Sequence, residues 1–340
     1  MHSIHSRFFM YLLLGTWTSI VAPPLAANAN ALEAGFINLT LVDPVEGGAM
    51  QAIVAYPTLS AAASTTLGPF TIAASPGSVP EPGLHPLVVV SHGTGGSSLG
   101  HHDSLTALAR AGFVAVAVEH PRDNYRDDSG FGTDLQLIGR PHHIVALIDA
   151  ILVDPKIGSI VDRGRIGMAG HSVGGYTTLA IAGAQPDLRL AAAYRQAVTS
   201  DPYTARAEAA GGQRRKPELQ YVSDPRVRSI YLMAPAIGYL FDKAALAKVT
   251  IPVRLIRAAA DEMLPHPQGV ENIAQSLPVP PDYWVLDGAG HFVFLAPCSE
   301  MLASIAKQIC TDPPGIDRVA IHERLNTDMI AFFRKTLASP

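Results

Sequence analysis

The sequence predicts a doubly wound α/β fold, with a mostly parallel sheet covered on both faces by helices. Three observations lead there. Short β-rich runs alternate with longer helical patterns from Gly35 to about Ala258. Several of those runs are continuously apolar rather than alternating, the mark of strands buried on both faces. The 340 residues, 48% hydrophobic and 16% charged, suit a sizeable core and exclude a disordered chain.

Taken in chain order, Gln51 to Tyr56 is an early strand bounded by Pro57, and the Pro-, Ala- and Ser-rich stretch to Pro86 reads as an irregular connection. Leu87 to Val90 is the first buried strand. Ser104 to Ala111 is a helix stopped by Gly112, and Phe113 to Val118 is the next strand. Ile144, Leu147, Ile148 and Ile151 fall at helical spacing, so Arg140 to Leu152 is a helix that Pro155 ends. Arg165 to Ala169 is a strand and Val173 to Ala184 the helix after it. Arg228 to Met233, Val253 to Arg257 and Tyr283 to Leu286 complete the set. Gln185 to Ser223, with its Gly211-Gly212 pair and little apolar period, is longer than an ordinary connection. It is expected to be a partly helical insertion, placed either as a cap over the carboxyl ends of the strands or as an excursion without a role.

The first thirty residues differ from the rest. Arg7 precedes an uncharged apolar run from Phe8 to Val21, and Pro23-Pro24 follows. Ala27-Asn28-Ala29 and Ala29-Asn30-Ala31 offer the small-x-small pattern of a signal-peptidase site. Residues 1–30 are therefore expected to be a signal peptide, with an uncleaved anchor as the alternative, and residues 31–340 the mature domain, secreted or periplasmic. No later segment reaches the length of a membrane span. An oxidising compartment favours pairing the two cysteines, Cys298 and Cys310; two buried free thiols are the alternative. A net charge of −4 and a single short basic triplet, Arg214-Arg215-Lys216, give no footprint for nucleic acid.

The chemistry centres on Gly170-His171-Ser172-Val173-Gly174, which follows a buried strand and opens a helix. A serine on such a sharp turn projects its hydroxyl above the sheet edge, over a helix N-terminus that favours developing negative charge. A hydroxyl is a weak nucleophile and needs a base. Among thirteen histidines, His291 is best placed, in a glycine-rich loop directly after the last strand. The base needs an acid to hold its tautomer. Asp261 follows a strand through Ala258-Ala259-Ala260, and its neighbour Glu262, expected to turn outward, is the competitor. Ser91-His92-Gly93-Thr94-Gly95-Gly96 follows Leu87 to Val90, where the amides of Thr94 and Val173 would face an oxyanion. A phosphate-binding loop is the rival for this segment, but it lacks the Lys-Ser/Thr of a P-loop and the GxGxxG of a dinucleotide site. His101-His102-Asp103 and His142-His143 lack the i, i+4 spacing of a helical metal site, so no metal is expected. His171 reads as a packing residue or one that supports a catalytic neighbour. Tyr176, Tyr239, Phe241, Phe292 and Phe294 are candidates for an acyl pocket or for the core.

At these motifs the chain resembles the dienelactone-hydrolase-like branch of the α/β hydrolases, within the set that includes bacterial relatives of platelet-activating-factor acetylhydrolase. The carrying segments are LVVVSHGTGGSSLGHHDSLTALARAGFVAVAVEHPR, RIGMAGHSVGGYTTL, DPRVRSIYLMAPAIGYLF and GAGHFVFLAPC. The resemblance covers roughly residues 50 to 300. It implies an α/β-hydrolase fold and a cofactor-free ester hydrolase with Ser172 as nucleophile, His291 as base and the Thr94 and Val173 amides as oxyanion donors. Dienelactone hydrolases use cysteine where this chain has Ser172. The acetylhydrolases place their acid where this chain has Met233-Ala234-Pro235, so the acid falls to Asp261. There is a looser similarity to cutinase-like polyester hydrolases, with a late acid and a cysteine pair. The expected substrate is a small-molecule or lipid-like carboxylic ester. The alternatives are a thioester, peptide or polyester substrate on the same triad, or a non-catalytic binding protein of the same fold.

Overall fold

Strand formation begins before the first apolar run. In the computed structural model, which describes residues 31–198, 201–209, 216, 218–264 and 266–338, β1 spans Glu33–Val42 and pairs antiparallel with β2 (Ala49–Thr58). Its sequence alternates rather than running apolar, because one face of this peripheral strand is exposed. The signal segment expected over residues 1–30 lies outside the described residues. The stretch expected to be an irregular connection holds three short strands: β3 (Thr65–Leu67) and β4 (Phe70–Ile72) form a small hairpin, and β5 (Ser75–Pro76) pairs with β1. Strands of two or three residues leave no periodicity to read.

The alternating part follows: β6 (His85–Ser91), α1 (His102–Arg110), β7 (Val114–Val118), α2 (Arg140–Val153), β8 (Val161–His171) and α3 (Val173–Ile181). Then come α4 (Leu190–Ala197), α5 (Pro202–Ala209), β9 (Val227–Met233), β10 (Val253–Ala258), α6 (Val270–Ser276) and β11 (Asp282–Leu286). The chain continues with α7 (Glu300–Ile305), α8 (Lys307–Cys310) and α9 (Arg318–Thr336). Helix α3 is shorter than expected because Gly183, at φ 107°, turns the chain out of the helix.

Among the described residues the main sheet has nine strands, ordered β11-β10-β9-β8-β6-β7-β2-β1-β5. Those from β6 to β11 run parallel, whereas β2 is antiparallel to both β7 and β1. The two faces can be read from β8 itself. Residues three apart on a strand point to opposite faces, and a side chain at Gly167 would strike the Phe333 ring of α9 at 2.5 Å. One at Gly170 would strike the Gly174 carbonyl of α3 at 2.1 Å. Helices α1 and α9 therefore cover one face, and α3 with α2 the other. Coverage on both sides explains the unbroken apolar runs of β6 and β7, where Leu87, Val88, Val89, Val114 and Val116 are fully buried.

Cys298 and Cys310 are bonded, with Cα atoms 5.8 Å apart, and the closed loop contains α7 and α8. Closing a loop with a sequence separation of 12 removes denatured-state entropy equivalent to about 3 kcal/mol. Replacing both cysteines by serine is expected to lower the unfolding free energy by that amount, read as a lower urea midpoint. An unchanged midpoint would show that the short helices hold the loop without the bridge.

Candidate active site

The end of β8 is shaped by backbones that approach too closely for any side chain but hydrogen. A Cβ at Gly174 would lie 1.9 Å from the Ser91 carbonyl oxygen on β6, so glycine is what lets the first turn of α3 press against β6. Between β8 and α3, Ser172 sits at φ 54° and ψ −120°, a conformation that costs roughly 1–3 kcal/mol for a residue with a Cβ. Its backbone is held firmly. The Ser172 amide donates to Met233 O at 3.0 Å, and its carbonyl accepts from Gly175 N at 2.9 Å and Ala236 N at 2.9 Å. Its hydroxyl, by contrast, makes no hydrogen bond among the described residues, and neither does His291 Nε2.

Asp261 leaves the end of β10 over two backbone bonds, Ala259 N to Leu286 O at 3.0 Å and Ala260 N to Ala289 O at 2.9 Å. One carboxylate oxygen accepts from the amides of Met263 and Leu264, both at 2.9 Å. The other faces His291 Nδ1 at 2.8 Å, with both side chains almost fully buried. A carboxylate accepts, so in the neutral ring Nδ1 carries the proton and Nε2 the lone pair. Glu262 does not turn away, contrary to expectation. Its Oε2 accepts from the His291 amide at 3.1 Å, so the competitor anchors the backbone of His291 and leaves the imidazole to Asp261.

His171 closes this cluster from the other side. Its Nε2 donates to the His291 carbonyl at 3.1 Å, and the two rings lie 4.8 Å apart. Burial, then the neighbouring His291 and His101, push the His171 pKa well below the usual imidazole range. A neutral ring therefore packs against His291 and anchors its carbonyl, within the packing or supporting role the sequence indicated.

The loop after β6 comes within reach of the serine: a Cβ at Gly93 would lie 3.2 Å from Ser172 Cβ. The Gly93–Thr94 peptide is fixed through its carbonyl, which accepts from His92 Nδ1 at 2.6 Å and Gly96 N at 3.1 Å. His92 Nε2 in turn accepts from the His120 amide at 3.2 Å, so the proton is on Nδ1. The opposite edge of that peptide is the Thr94 N–H. Among the described residues neither the Thr94 nor the Val173 amide is engaged in a hydrogen bond. The amide that follows Ser172 and the one that follows Gly93 thus have no acceptor among the described residues.

Three residues that motif reading missed hold this loop. Asp123, buried, accepts from Gly95 N at 3.2 Å, Gln136 Nε2 at 2.8 Å and Arg140 Nη1 at 2.8 Å. Gln136 also donates to Thr94 Oγ1 at 2.9 Å, and Arg140, fully buried, donates to the His92 carbonyl. Beneath them, Ser91 Oγ meets His120 Nε2 at 2.9 Å, and His120 Nδ1 meets His143 Nδ1 at 3.2 Å. Burial, followed for His92 and His120 by the Arg140 charge, holds all three histidines below the usual range. The histidine pairs of the sequence divide accordingly: His143 joins this network, and His101 packs on His171 with ring centroids 5.8 Å apart.

Of the candidate pocket aromatics, Tyr176, Phe241 and Phe294 are buried in the core, whereas Tyr239 stacks on Tyr194 of α4 at 3.7 Å. Farther along the insertion, the Arg206 guanidinium of α5 lies 4.0 Å from the centre of the Phe131 ring. The helices of residues 185–223 thus touch segments that leave the carboxyl ends of β7 and β9.

Comparison with known proteins agrees with the fold. The model of the alpha/beta hydrolase family matches residues 87–303. Among curated proteins, none matches the chain. Of the solved structures it resembles, the ferulic acid esterase from Streptomyces cinnamoneus superposes with a TM-score of 0.62 at 18% identity, over 94% of this chain and 96% of that one. At this identity the likeness is one of fold.

Proposed function

Because this chain belongs to the alpha/beta hydrolase family, we propose that it is an exported serine hydrolase acting on carboxylic esters. The observation that carries the proposal is the 2.8 Å contact between Asp261 and His291 Nδ1, which leaves the other imidazole nitrogen free to act as a base. In the proposed reaction, Ser172 Oγ attacks the ester carbonyl while His291 Nε2 takes its proton. The tetrahedral oxyanion accepts from the Thr94 and Val173 amides, each worth about 3 kcal/mol in the transition state. His291 then passes its proton to the departing alkoxide, and the acyl-enzyme is hydrolysed by water activated at the same nitrogen. Asp261 holds the tautomer of His291 and stabilises the imidazolium.

The insertion at 185–223 is proposed to act as a cap, supported by its contacts with Phe131 and Tyr239. Residues 1–30 are proposed to direct export. A p-nitrophenyl ester series from acetate to palmitate tests the function, with methyl ferulate added because the solved relative is a ferulic acid esterase. A fluorophosphonate is expected to label Ser172, and the chain-length optimum to define the acyl pocket. Turnover of peptides or thioesters in preference to oxygen esters would reassign the substrate. No turnover and no labelling would overturn the enzyme reading.

A further inference from the structure

A second carboxylate–imidazole pair, its imidazole buried and its carboxylate half-buried, touches the segment that carries His291, and the acyl-transfer scheme does not use it. Asp103, in the first turn of α1, faces His322 of α9, with Oδ2 2.6 Å from Nδ1. The other nitrogen of the ring, Nε2, lies 2.8 Å from the carbonyl of Val293. Val293 belongs to the short 3₁₀ turn His291–Phe294.

The proton count at this ring is constrained by its partners. A backbone carbonyl can only accept, and so can an ionised carboxylate. Burial alone would raise the Asp103 carboxyl, but the hydrogen bond and charge of His322, with the Asn326 amide, outweigh it and hold Asp103 well below the usual carboxylate range. Asn326 donates to the same oxygen at 3.0 Å, and Ser104 Oγ donates to Asn326 Oδ1 at 2.6 Å, which fixes the amide. Asp103 thus has no proton to offer. Both contacts of His322 are satisfied together only if both ring nitrogens carry hydrogen. Burial lowers the two imidazoles at the start of α1, His102 and, just before the helix, His101, the latter to about 4.

A single 3₁₀ turn has little hydrogen bonding of its own with which to hold a side chain in place. Here three side chains do so: Glu262 at the His291 amide, His171 at the His291 carbonyl and His322 at the Val293 carbonyl. We propose that His322 is a positioning residue for the base, an imidazolium held by Asp103 that fixes the His291–Phe294 turn through Val293 O. The inference rests on His291 being the base.

NMR of the wild-type protein with isotope-labelled histidine tests the charge state directly. Two ring N–H protons are expected on His322 at neutral pH, and a neutral ring with one would overturn the proposal whatever any variant does. His322→Phe, which keeps the ring volume without a donor, is expected to lower kcat on p-nitrophenyl acetate about tenfold, the scale of a small misplacement of a reacting group. KM should stay within about twofold. The far-downfield proton shared by Asp261 and His291 should broaden in that variant and sharpen again in His322→Gln, which keeps one donor for Val293 O. A folded Phe variant with wild-type kcat and a sharp downfield proton would also overturn it. Should the Phe variant fail to fold, the wild-type ring protons decide. Absence of ester turnover in the wild type would instead count against the proposed function, because both NMR readouts are independent of substrate.

Discussion

Replacing Ser172 with alanine is expected to lower kcat on a p-nitrophenyl ester by about a millionfold, the scale on which a nucleophile acting as one unit with its base is lost. The fold should be indifferent to the change. The Ser172 hydroxyl makes no hydrogen bond among the described residues, and the strained φ of 54° is imposed by backbone bonds that alanine also makes. Thermal unfolding should therefore move by less than about 0.5 kcal/mol. Some catalysis should survive, because the proposed oxyanion donors, the Thr94 and Val173 amides, are untouched; removing a nucleophile leaves roughly 10³-fold acceleration over water in such sites. A variant rate within about tenfold of wild type, measured on protein purified free of host esterases, would remove Ser172 from the reaction.

Replacing Arg140 with methionine is expected to destabilise the protein by about 3–5 kcal/mol, the cost of leaving a buried charge without its partner. Arg140 and Asp123 have side chains 0% and 1% exposed, so water cannot replace the missing guanidinium. The same change should reach the chemistry. Asp123 ties down Gly95, shares Gln136 with Thr94, and loses its fixed position when Arg140 goes. A fall in kcat larger than any rise in KM is expected, since the oxyanion donors matter most in the transition state. Adding Asp123→Leu should return part of the stability by removing the stranded carboxylate, but not the rate, because the loop then has neither anchor. Urea unfolding and steady-state kinetics on wild type and both variants check the two halves. A single variant as stable as wild type would show that Asp123 finds another counter-charge.

The parts of this molecule legible in the sequence are those whose cause is local. Leu87 to Val90 and Phe113 to Val118 are apolar on both sides because the strands are covered on both sides, and the corresponding strands β6 and β7 lie where those runs indicate. Gly170 and Gly174 flank Ser172 because of clashes a few residues away or on the adjacent strand, so the motif and its geometry coincide. The contact of Asp261 with His291 followed from the order of strands and the length of a three-alanine link.

What stayed hidden depends on long-range register. Arg140 opens a helix and looks like any solvated N-terminal residue, yet Asp123 lies 17 positions earlier and both are buried. Nothing local distinguishes Glu262, bonded to a backbone amide, from an outward carboxylate. Helix α9 carries charges around an apolar stripe of Leu325, Met329, Phe332 and Phe333, a pattern too mixed to stand out beside the alternating core.

That helix has a consequence for when the molecule works. It follows every residue of the candidate site in the sequence, yet it supplies Phe333 against β8 and His322 against the turn of His291. A chain interrupted before Arg318 would contain the serine, the acid and the base and still lack the surface that completes the strand beneath them. Activity should therefore appear only once α9 has been made, rather than grow with chain length. A prematurely terminated product would be silent and sticky, its uncovered β8 and β9 a target for proteases before it could ever cleave an ester.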